Sequence, residues 1–328
     1  MSTFRIAMVG AGNRANAVHY PSFAGLDDVV FAGICDINPG RLKKTADTYN
    51  IPEDRRWGAN MLSYRDMLDS VKPDGVAVIG DPDVMYPIWR YCLEKGINLY
   101  VEKPLGLTLH QAMMLTELAR EHSVITQCTL QWRTTPLTMR LRDECLQYGP
   151  ITHALVRFYK NQIETRYDAR DHMMDDTIHS IDAVRWACGD SKAVSVHSVT
   201  RRVGVRDINF ISATIEFENG ATGYLINSWS SGRRVFDIEM HAPGVCAEAE
   251  HEVGGRLYAG GDTAGVPFDA AEVAGGDALH IRTGVQLLAR DFVDACQEKR
   301  PAISSFDSAL ESMRIAETIL AQATLRGD

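Results

Sequence analysis

Phe4-Arg5-Ile6-Ala7-Met8-Val9-Gly10-Ala11-Gly12-Asn13-Arg14-Ala15 is the stretch that decides the fold. A short apolar run ending in glycine and passing into a helix-forming segment reads as strand, tight turn and helix. Gly10 permits the turn, Gly12 lets the backbone approach a pyrophosphate, and the small Ala15 allows close packing of the helix. Free amides at the start of that helix attract phosphate. The G-x-G-x-x-A pattern therefore predicts a dinucleotide held by Gly10, Ala11, Gly12, Asn13 and Arg14.

Working outward, apolar runs at 29–35, 75–79, 98–101 and 124–130 alternate with helix-like stretches at 15–26, 40–49, 84–95 and 109–122. Strands separated by helices need crossover connections, which predicts an α/β Rossmann fold with a doubly wound parallel sheet. Near Gly149-Pro150 the pattern changes. One helix is expected at 175–188, followed by long strands at 193–202, 208–218, 222–230 and 235–241. Glu218-Asn219-Gly220-Ala221 predicts a hairpin with a type I′ turn. Residues 254–276 read as a surface loop or irregular hairpin, and helices at 282–297 and 308–323 close the chain. Two domains result: 1–130, an NAD(P)-binding Rossmann domain, and 131–328, an α+β domain with a large, mostly antiparallel sheet. The second is assigned substrate binding and oligomerisation, with room for the last helices to pack back on the first domain.

Composition narrows the function. The 328 residues are 45% hydrophobic and 23% charged, an ordinary globular balance, and the net charge is −9 with no basic stripe for nucleic acid. No apolar run reaches the length of a membrane span, and Met1–Arg5 lacks the features of a signal peptide. Seven scattered cysteines without a Cys-x-x-Cys pair suit a reducing compartment, so a cytoplasmic location is expected.

Ligands on doubly wound sheets bind outside the carboxyl ends of the strands, and chemically distinctive residues fall there one strand after another. Asp36 follows the second strand, where a carboxylate grips ribose hydroxyls and repels a 2′-phosphate. NAD is favoured on this residue, with NADP left open because Arg41 is near. Asp81 and Pro82, in Gly80-Asp81-Pro82-Asp83, follow the next clear strand and are expected to face the nicotinamide ribose. Glu102-Lys103-Pro104 follows Val101, and Pro104 keeps Lys103 extended beyond the strand end. A lysine there can exchange a proton with a substrate hydroxyl, while Glu102 tunes the amine or binds cofactor.

This combination resembles the Gfo/Idh/MocA oxidoreductases, which include glucose–fructose oxidoreductase and inositol dehydrogenase. The resemblance spans nearly the whole chain, and the Glu102-Lys103-Pro104 triplet is its most specific part. The family's second signature, an Asp and a His four residues apart on a helix, is matched by Asp175 and His179. The resemblance implies that Lys103 and His179 handle the substrate proton, with Asp175 placing a sugar or polyol. It also implies a cofactor contact near Gln131-Trp132-Arg133, at Gln131. The chain departs from the family at Met173, Met174 and Thr177, where glycines are usual, and at Asp81-Pro82-Asp83 and Tyr86. These changes bear on the substrate more than on the chemistry.

The reading is thus an NAD(P)-dependent dehydrogenase acting on a secondary hydroxyl of a sugar, cyclitol or sugar derivative. Two alternatives stay open: a redox-neutral enzyme that oxidises a sugar transiently and eliminates or cleaves a glycosidic bond, and a non-enzymatic NAD-binding sensor. His172, Asp175, Asp176, His179 and Asp182 cluster in sequence, but without a Cys-rich lobe or His-Glu-x-x-His they are not read as a metal site, and no metal is expected. Arg157, Lys160, Arg166, Arg170 and His172 precede or border the catalytic helix and are read as solvated or structural rather than as contacts to an acidic substrate. A homodimer or homotetramer through the C-terminal sheet is expected, with neither nucleic acid nor membrane as partner.

Overall fold

The computed structural model describes residues 3–166 and 171–327, so Arg170 lies outside the described residues. The chain divides into two compact units, Met1–Gly106 with His110–Thr129 and Val285–Asp307, and Leu107–Leu109 with Leu130–Gly284 and Ser308–Asp328.

In the first unit, strands β1 (Phe4–Val9), β2 (Val29–Cys35), β3 (Arg56–Trp57), β4 (Gly75–Val78), β5 (Leu99–Val101) and β6 (Thr126–Cys128) form one sheet. Its order is β3-β2-β1-β4-β5-β6 and every pairing is parallel. The chain reverses its winding between β1 and β4, which is the switch point where such sheets bind ligands. Phe4, Ile6 and Met8 of β1 are buried among Ile34, Ala77 and Tyr100 and against Phe292 from the helix Val285–Glu298. That helix therefore completes the core of the first unit although it comes late in sequence.

The second unit carries an eight-stranded sheet built from β7 (His153–Asn161), β8 (Ala193–Arg201), β9 (Phe210–Phe217), β10 (Thr222–Ser228), β11 (Ser230–Ala242), β12 (Val245–Glu250), β13 (Gly254–Ala259) and β14 (Val266–Asp269). The order is β14-β13-β12-β11-β7-β10-β9-β8, antiparallel throughout except for the parallel pair β7 and β10. Alternation along each strand sorts its faces. Ala154, Val156 and Phe158 of β7 are buried, whereas His153, Leu155, Arg157 and Tyr159 point to the other, half-covered face. The helices Pro136–Leu146 and Ile178–Ala187 pack on the sheet.

Residues 254–276, expected as a surface loop or irregular hairpin, form the hairpin β13–β14 and a short helix, Ala270–Ala274. One expectation is corrected. The Asn219-Gly220 turn is not type I′, because only Gly220 has a positive φ (85°). Gly220 N donates to Phe217 O at 2.9 Å and Phe217 N to Ala221 O at 3.0 Å, the three-residue loop in which a left-handed glycine closes a type I turn. Asn219 turns its amide outward instead and donates to Cys188 O at 2.7 Å.

A buried polar constraint inside the second unit joins Arg133 to Asp182. Arg133, wholly buried, donates from Nε to Asp182 Oδ2 at 2.8 Å and from its other arm to Asp182 Oδ1, which also accepts from Ser312 Oγ at 2.9 Å. Removing one member of such a pair leaves an uncompensated buried charge, a loss of about 3–5 kcal/mol. Asp182→Ala is expected to lower stability by that amount in urea unfolding, and a change under about 1 kcal/mol would contradict the pairing.

Candidate active site

At the carboxyl end of β1 the glycine loop is held by sterics and by one carboxylate. Gly10 has φ +100°, and a Cβ there would lie 2.0 Å from the Ile79 carbonyl oxygen, so no larger residue fits. Asp36 Oδ2 accepts from Ala11 N at 2.6 Å and its Oδ1 from Asn38 N at 2.7 Å. Each carboxylate oxygen keeps a lone pair for a further donor such as a ribose hydroxyl. A Cβ on Gly12, by contrast, would meet nothing within 4 Å, an open cradle at the start of the following helix. Asn13 and Arg14 are exposed beside it, and Asn16 donates back to Ala11 O at 2.9 Å and Gly12 O at 3.1 Å.

The segment after Gly12 opens as a π-helix, Ala15–His19, before Tyr20–Ala24 turns α-helical. This wider turn brings Arg14 and His19, five residues apart, to one carboxylate. Glu102 Oε1 accepts from Arg14 Nε at 3.0 Å and lies 2.6 Å from His19 Nε2, while Glu102 Oε2 accepts from Lys103 N at 3.1 Å. Burial opposes the charge on Glu102, yet Arg14, His19 and Lys103 together hold its carboxyl well below the usual carboxylate range. Burial holds the His19 imidazole below its ordinary value despite the Glu102 contact. His19 is therefore neutral at pH 7. It carries its proton on Nε2 toward Glu102 and leaves Nδ1, 3.2 Å from Tyr100 Oη, to accept the phenol.

Glu102 is thus engaged on all sides beneath the loop, and Lys103 emerges half-buried from the end of β5. The Lys103 N–H also reaches Thr129 Oγ1 at 3.3 Å, and the Lys103–Pro104 peptide is cis. Asp81 and Pro82 begin the helix Pro82–Glu94, with Asp81 O accepting from Val84 N and Met85 N at 3.0 and 2.9 Å. Sequence reasoning missed His19, because only the π-helical turn brings it to the same carboxylate as Arg14.

In the second unit the expected helix at 175–188 begins earlier and wider, as a π-helical turn Met173–Thr177 running into Ile178–Ala187. Such turns recur at functional sites. Asp175 pairs with Arg166 Nη1 at 2.7 Å, and Asp176 Oδ2 accepts both Lys160 Nζ at 2.7 Å and Trp229 Nε1 at 2.9 Å. Arg157 is spent on Asp237 at 2.7 Å. His172 stacks on Trp229 with ring centroids 4.2 Å apart. Thr177 is wholly buried and accepts from Asn227 Nδ2 at 3.1 Å, so the residue standing where a glycine is usual packs against β10. Asp182 belongs to the Arg133 pair.

His179 meets the Trp132 ring edge-on at 6.2 Å, and Trp132 packs on Phe236 at 4.4 Å and His251 at 4.8 Å. Burial pushes His251 down to about 3, so it adds no charge to this aromatic cluster. Gln131 opens the short 3₁₀ turn Gln131–Thr134 and is buried, its carbonyl accepting from Thr134 Oγ1 at 2.9 Å.

A parallel sheet of this order, with an open glycine cradle at its switch point and a carboxylate beside the cradle, defines a dinucleotide-binding Rossmann unit. Residues 4–130 match the family model of an oxidoreductase family with an NAD-binding Rossmann fold, and residues 147–243 match the GFO/IDH/MocA C-terminal domain. The chain belongs to the GFO/IDH/MocA oxidoreductase family, and its cofactor is NAD. It is 24% identical to a D-glucoside 3-dehydrogenase of Escherichia coli strain K12 over 70% of this chain and 71% of that one. Among solved structures it resembles a dehydrogenase from Chromobacterium violaceum, with a TM-score of 0.86, 21% identity and coverage of 100% and 97% of the two chains. A Gfo/Idh/MocA family oxidoreductase from Vibrio cholerae gives a TM-score of 0.84, 19% identity and coverage of 98% and 99%. No helix among the described residues is long and apolar enough to cross a membrane.

The two glycines of the loop separate folding from binding. Gly12→Ala is expected to leave stability within about 1 kcal/mol, since the methyl meets only open space and the backbone there is not left-handed, while weakening NAD roughly tenfold or more. Gly10→Ala destabilises the unit itself. Calorimetric NAD titration with thermal melts tests both; a Gly12→Ala protein with native NAD affinity would refute the cradle.

Glu102→Gln removes charge-assisted hydrogen bonds and is expected to cost about 1–3 kcal/mol at neutral pH. Because the folded-state pKa is depressed, the stabilisation is present above the ordinary carboxylate range and is lost as pH falls through the folded value. The stability gap between wild type and Glu102→Gln should therefore close in acid, below about pH 4. A gap independent of pH in denaturant titrations would exclude an ionised Glu102.

Proposed function

We propose that the chain is an NAD-dependent dehydrogenase that oxidises a secondary hydroxyl of a sugar, cyclitol or sugar derivative. The observation that carries this reading is Lys103, presented at the end of β5 with its backbone fixed by Glu102 and Thr129. The similarity to a protein named D-glucoside 3-dehydrogenase supports a glycoside as the first substrate class to examine.

Gly10, Ala11, Gly12, Asn13 and Arg14, with Asp36, Asp81 and Pro82, would hold NAD, which would supply the hydride acceptor. The chain's own residues manage the rest. Lys103 in its amine form takes the proton of the reacting hydroxyl, so that the carbon–hydrogen electron pair can leave as a carbonyl forms. His179, whose ring meets Trp132 edge-on, shares that proton transfer. Asp175, held by Arg166, accepts hydrogen bonds from neighbouring sugar hydroxyls. Glu102 acts through Arg14 and the backbone of Lys103, keeping the glycine loop and the lysine in register. The Asp36 carboxylate disfavours a 2′-phosphate, so NAD is expected to outperform NADP.

The test is NADH formation across glycosides, polyols, inositols and sugar acids, with NADP in parallel. Lys103→Met is expected to lower kcat/KM by about 10²–10⁴-fold while NAD affinity stays within a few-fold of wild type. Undiminished turnover in that variant would overturn the assignment, and sugar conversion without net NADH would replace it with redox-neutral chemistry.

A further inference from the structure

The open face of the second sheet carries a group of side chains that the dehydrogenase chemistry does not use. Register explains how they meet. β11 and β12 are joined by the tight turn at Pro243-Gly244, and the strand pairing sets His241 opposite Cys246. On the other side of β11, His241 is opposite His153 of β7. Glu239 lies two residues before His241 and so projects from the same face. All four side chains are half-buried.

Three of them converge. Glu239 Oε1 lies 2.6 Å from His241 Nε2, and Cys246 Sγ lies 3.6 Å from the same nitrogen. One ligand atom from each of Glu239, His241 and Cys246 can be chosen so that all lie within 4.8 Å of one another. One ring nitrogen bears at most one hydrogen, so His241 Nε2 cannot donate a full hydrogen bond to both neighbours. A cation between them would satisfy both. In a tetrahedral zinc site with N and S ligands at about 2.0 and 2.3 Å, those ligand atoms sit about 3.5 Å apart, which the His241–Cys246 separation already matches. The Glu239 oxygen has to move outward by less than about 1 Å, exchanging its hydrogen bond for a metal bond.

We propose that Glu239, His241 and Cys246 form a binding site for a divalent zinc-type cation, with water in the fourth position. The ligand set of carboxylate, imidazole and thiolate is the mixed O, N and S chemistry that favours zinc over magnesium or calcium. His153 stacks on His241 with centroids 4.1 Å apart and planes at 9°, which fixes the ring that would ligate. His153 Nδ1 is in turn 3.1 Å from Thr152 Oγ1. Glu248, opposite Glu239 on β12, adds negative charge beside the site. Burial, with Glu239 and Glu248, pushes the Cys246 thiol up to about 12, so the ion has to displace the thiol proton to solvent as the metal–sulfur bond forms. The ion would join the two strands beside the Pro243-Gly244 turn and stands apart from the hydride chemistry.

Cobalt is the probe, because a thiolate ligand gives Co²⁺ a near-ultraviolet charge-transfer band that zinc then abolishes. Full-length protein stripped with a chelator and titrated with Co²⁺ is expected to develop that band and lose it on adding Zn²⁺. Cys246→Ser should remove the band. His241→Ala and Glu239→Gln should weaken Zn²⁺, measured by competition with a chromophoric chelator, by at least about tenfold, since even outer partners of a metal site are worth 10–100-fold. Unchanged NAD affinity and near-ultraviolet circular dichroism in the three variants show that they are folded. No thiolate band in the wild-type protein, or a band that survives in folded Cys246→Ser, overturns the proposal.

Discussion

One ionised carboxylate in a dry setting organises the first unit. Glu102 is nearly inaccessible, and a charge there is tolerable only because donors surround it: Arg14, the neutral His19 and the backbone of Lys103. Those donors come from two places far apart in sequence, the start of the first helix and the end of β5. Binding them to one group fixes the glycine loop relative to the strand end that presents Lys103. The Asp36 carboxylate acts similarly on the other side of the loop, gripping Ala11 N at 2.6 Å. The loop is thus clamped between two anions, while the Cβ direction of Gly12 stays open. The clamp supplies geometry, and the open space is where a dinucleotide backbone can approach.

The second unit places its charges differently. Asp182 is consumed by Arg133 and Asp176 by Lys160 and Trp229, so both are positioning groups for the turn and helix 173–187. Asp175 is paired with Arg166 and is the less buried of the two adjacent aspartates. Among the described residues of that stretch, Arg157, Lys160 and Arg166 are each paired to a carboxylate rather than left for an acidic substrate. Neutral or hydroxyl-rich ligands suit it better, consistent with the proposed sugar chemistry.

Much of this was legible in the sequence, for physical reasons that also explain what was not. Strands β1, β2, β4 and β5 are apolar runs that lead to Gly10, Asp36, Gly80 and Glu102, so those strand ends announce themselves. The helix Ser63–Val71 was legible in principle, since it buries Tyr64, Met67, Leu68 and Val71 at helical spacing, but its mixed composition hides it. β3 has two residues and no signal of its own. The helix Pro136–Leu146 shows Leu137, Leu141 and Cys145 at four-residue intervals yet was not predicted, standing between stronger features. The π-helical turns at 15–19 and 173–177 leave no mark in linear spacing. Asp175 and His179 stand out in the sequence because they match the second signature of the family that the chain resembles. The partners that define their surroundings, Arg166 and Trp132, lie on other segments and could not be found that way. Arg133 is wholly buried because its carboxylate partner arrives from 49 residues away, which no local spacing shows.

The same logic separates the two faces of the second sheet. Alternation along β7 and β11 sends Val156, Phe158, Ile238 and Met240 toward the packed helices, and His153, Glu239 and His241 the other way. The inner face is therefore apolar and positions the turn and helix that bear Asp175 and His179. Polar groups on the outer face contribute nothing to that packing, so packing alone does not require a histidine, a thiol and a carboxylate there. Those residues are close only because a two-residue turn and the resulting register set His241 against Cys246. A sequence search for metal ligands looks for short fixed intervals on a helix or knuckle, whereas across a hairpin the interval depends on the turn. The ligand chemistry was visible in the sequence only as three unrelated residues, and strand pairing is what turns them into one group.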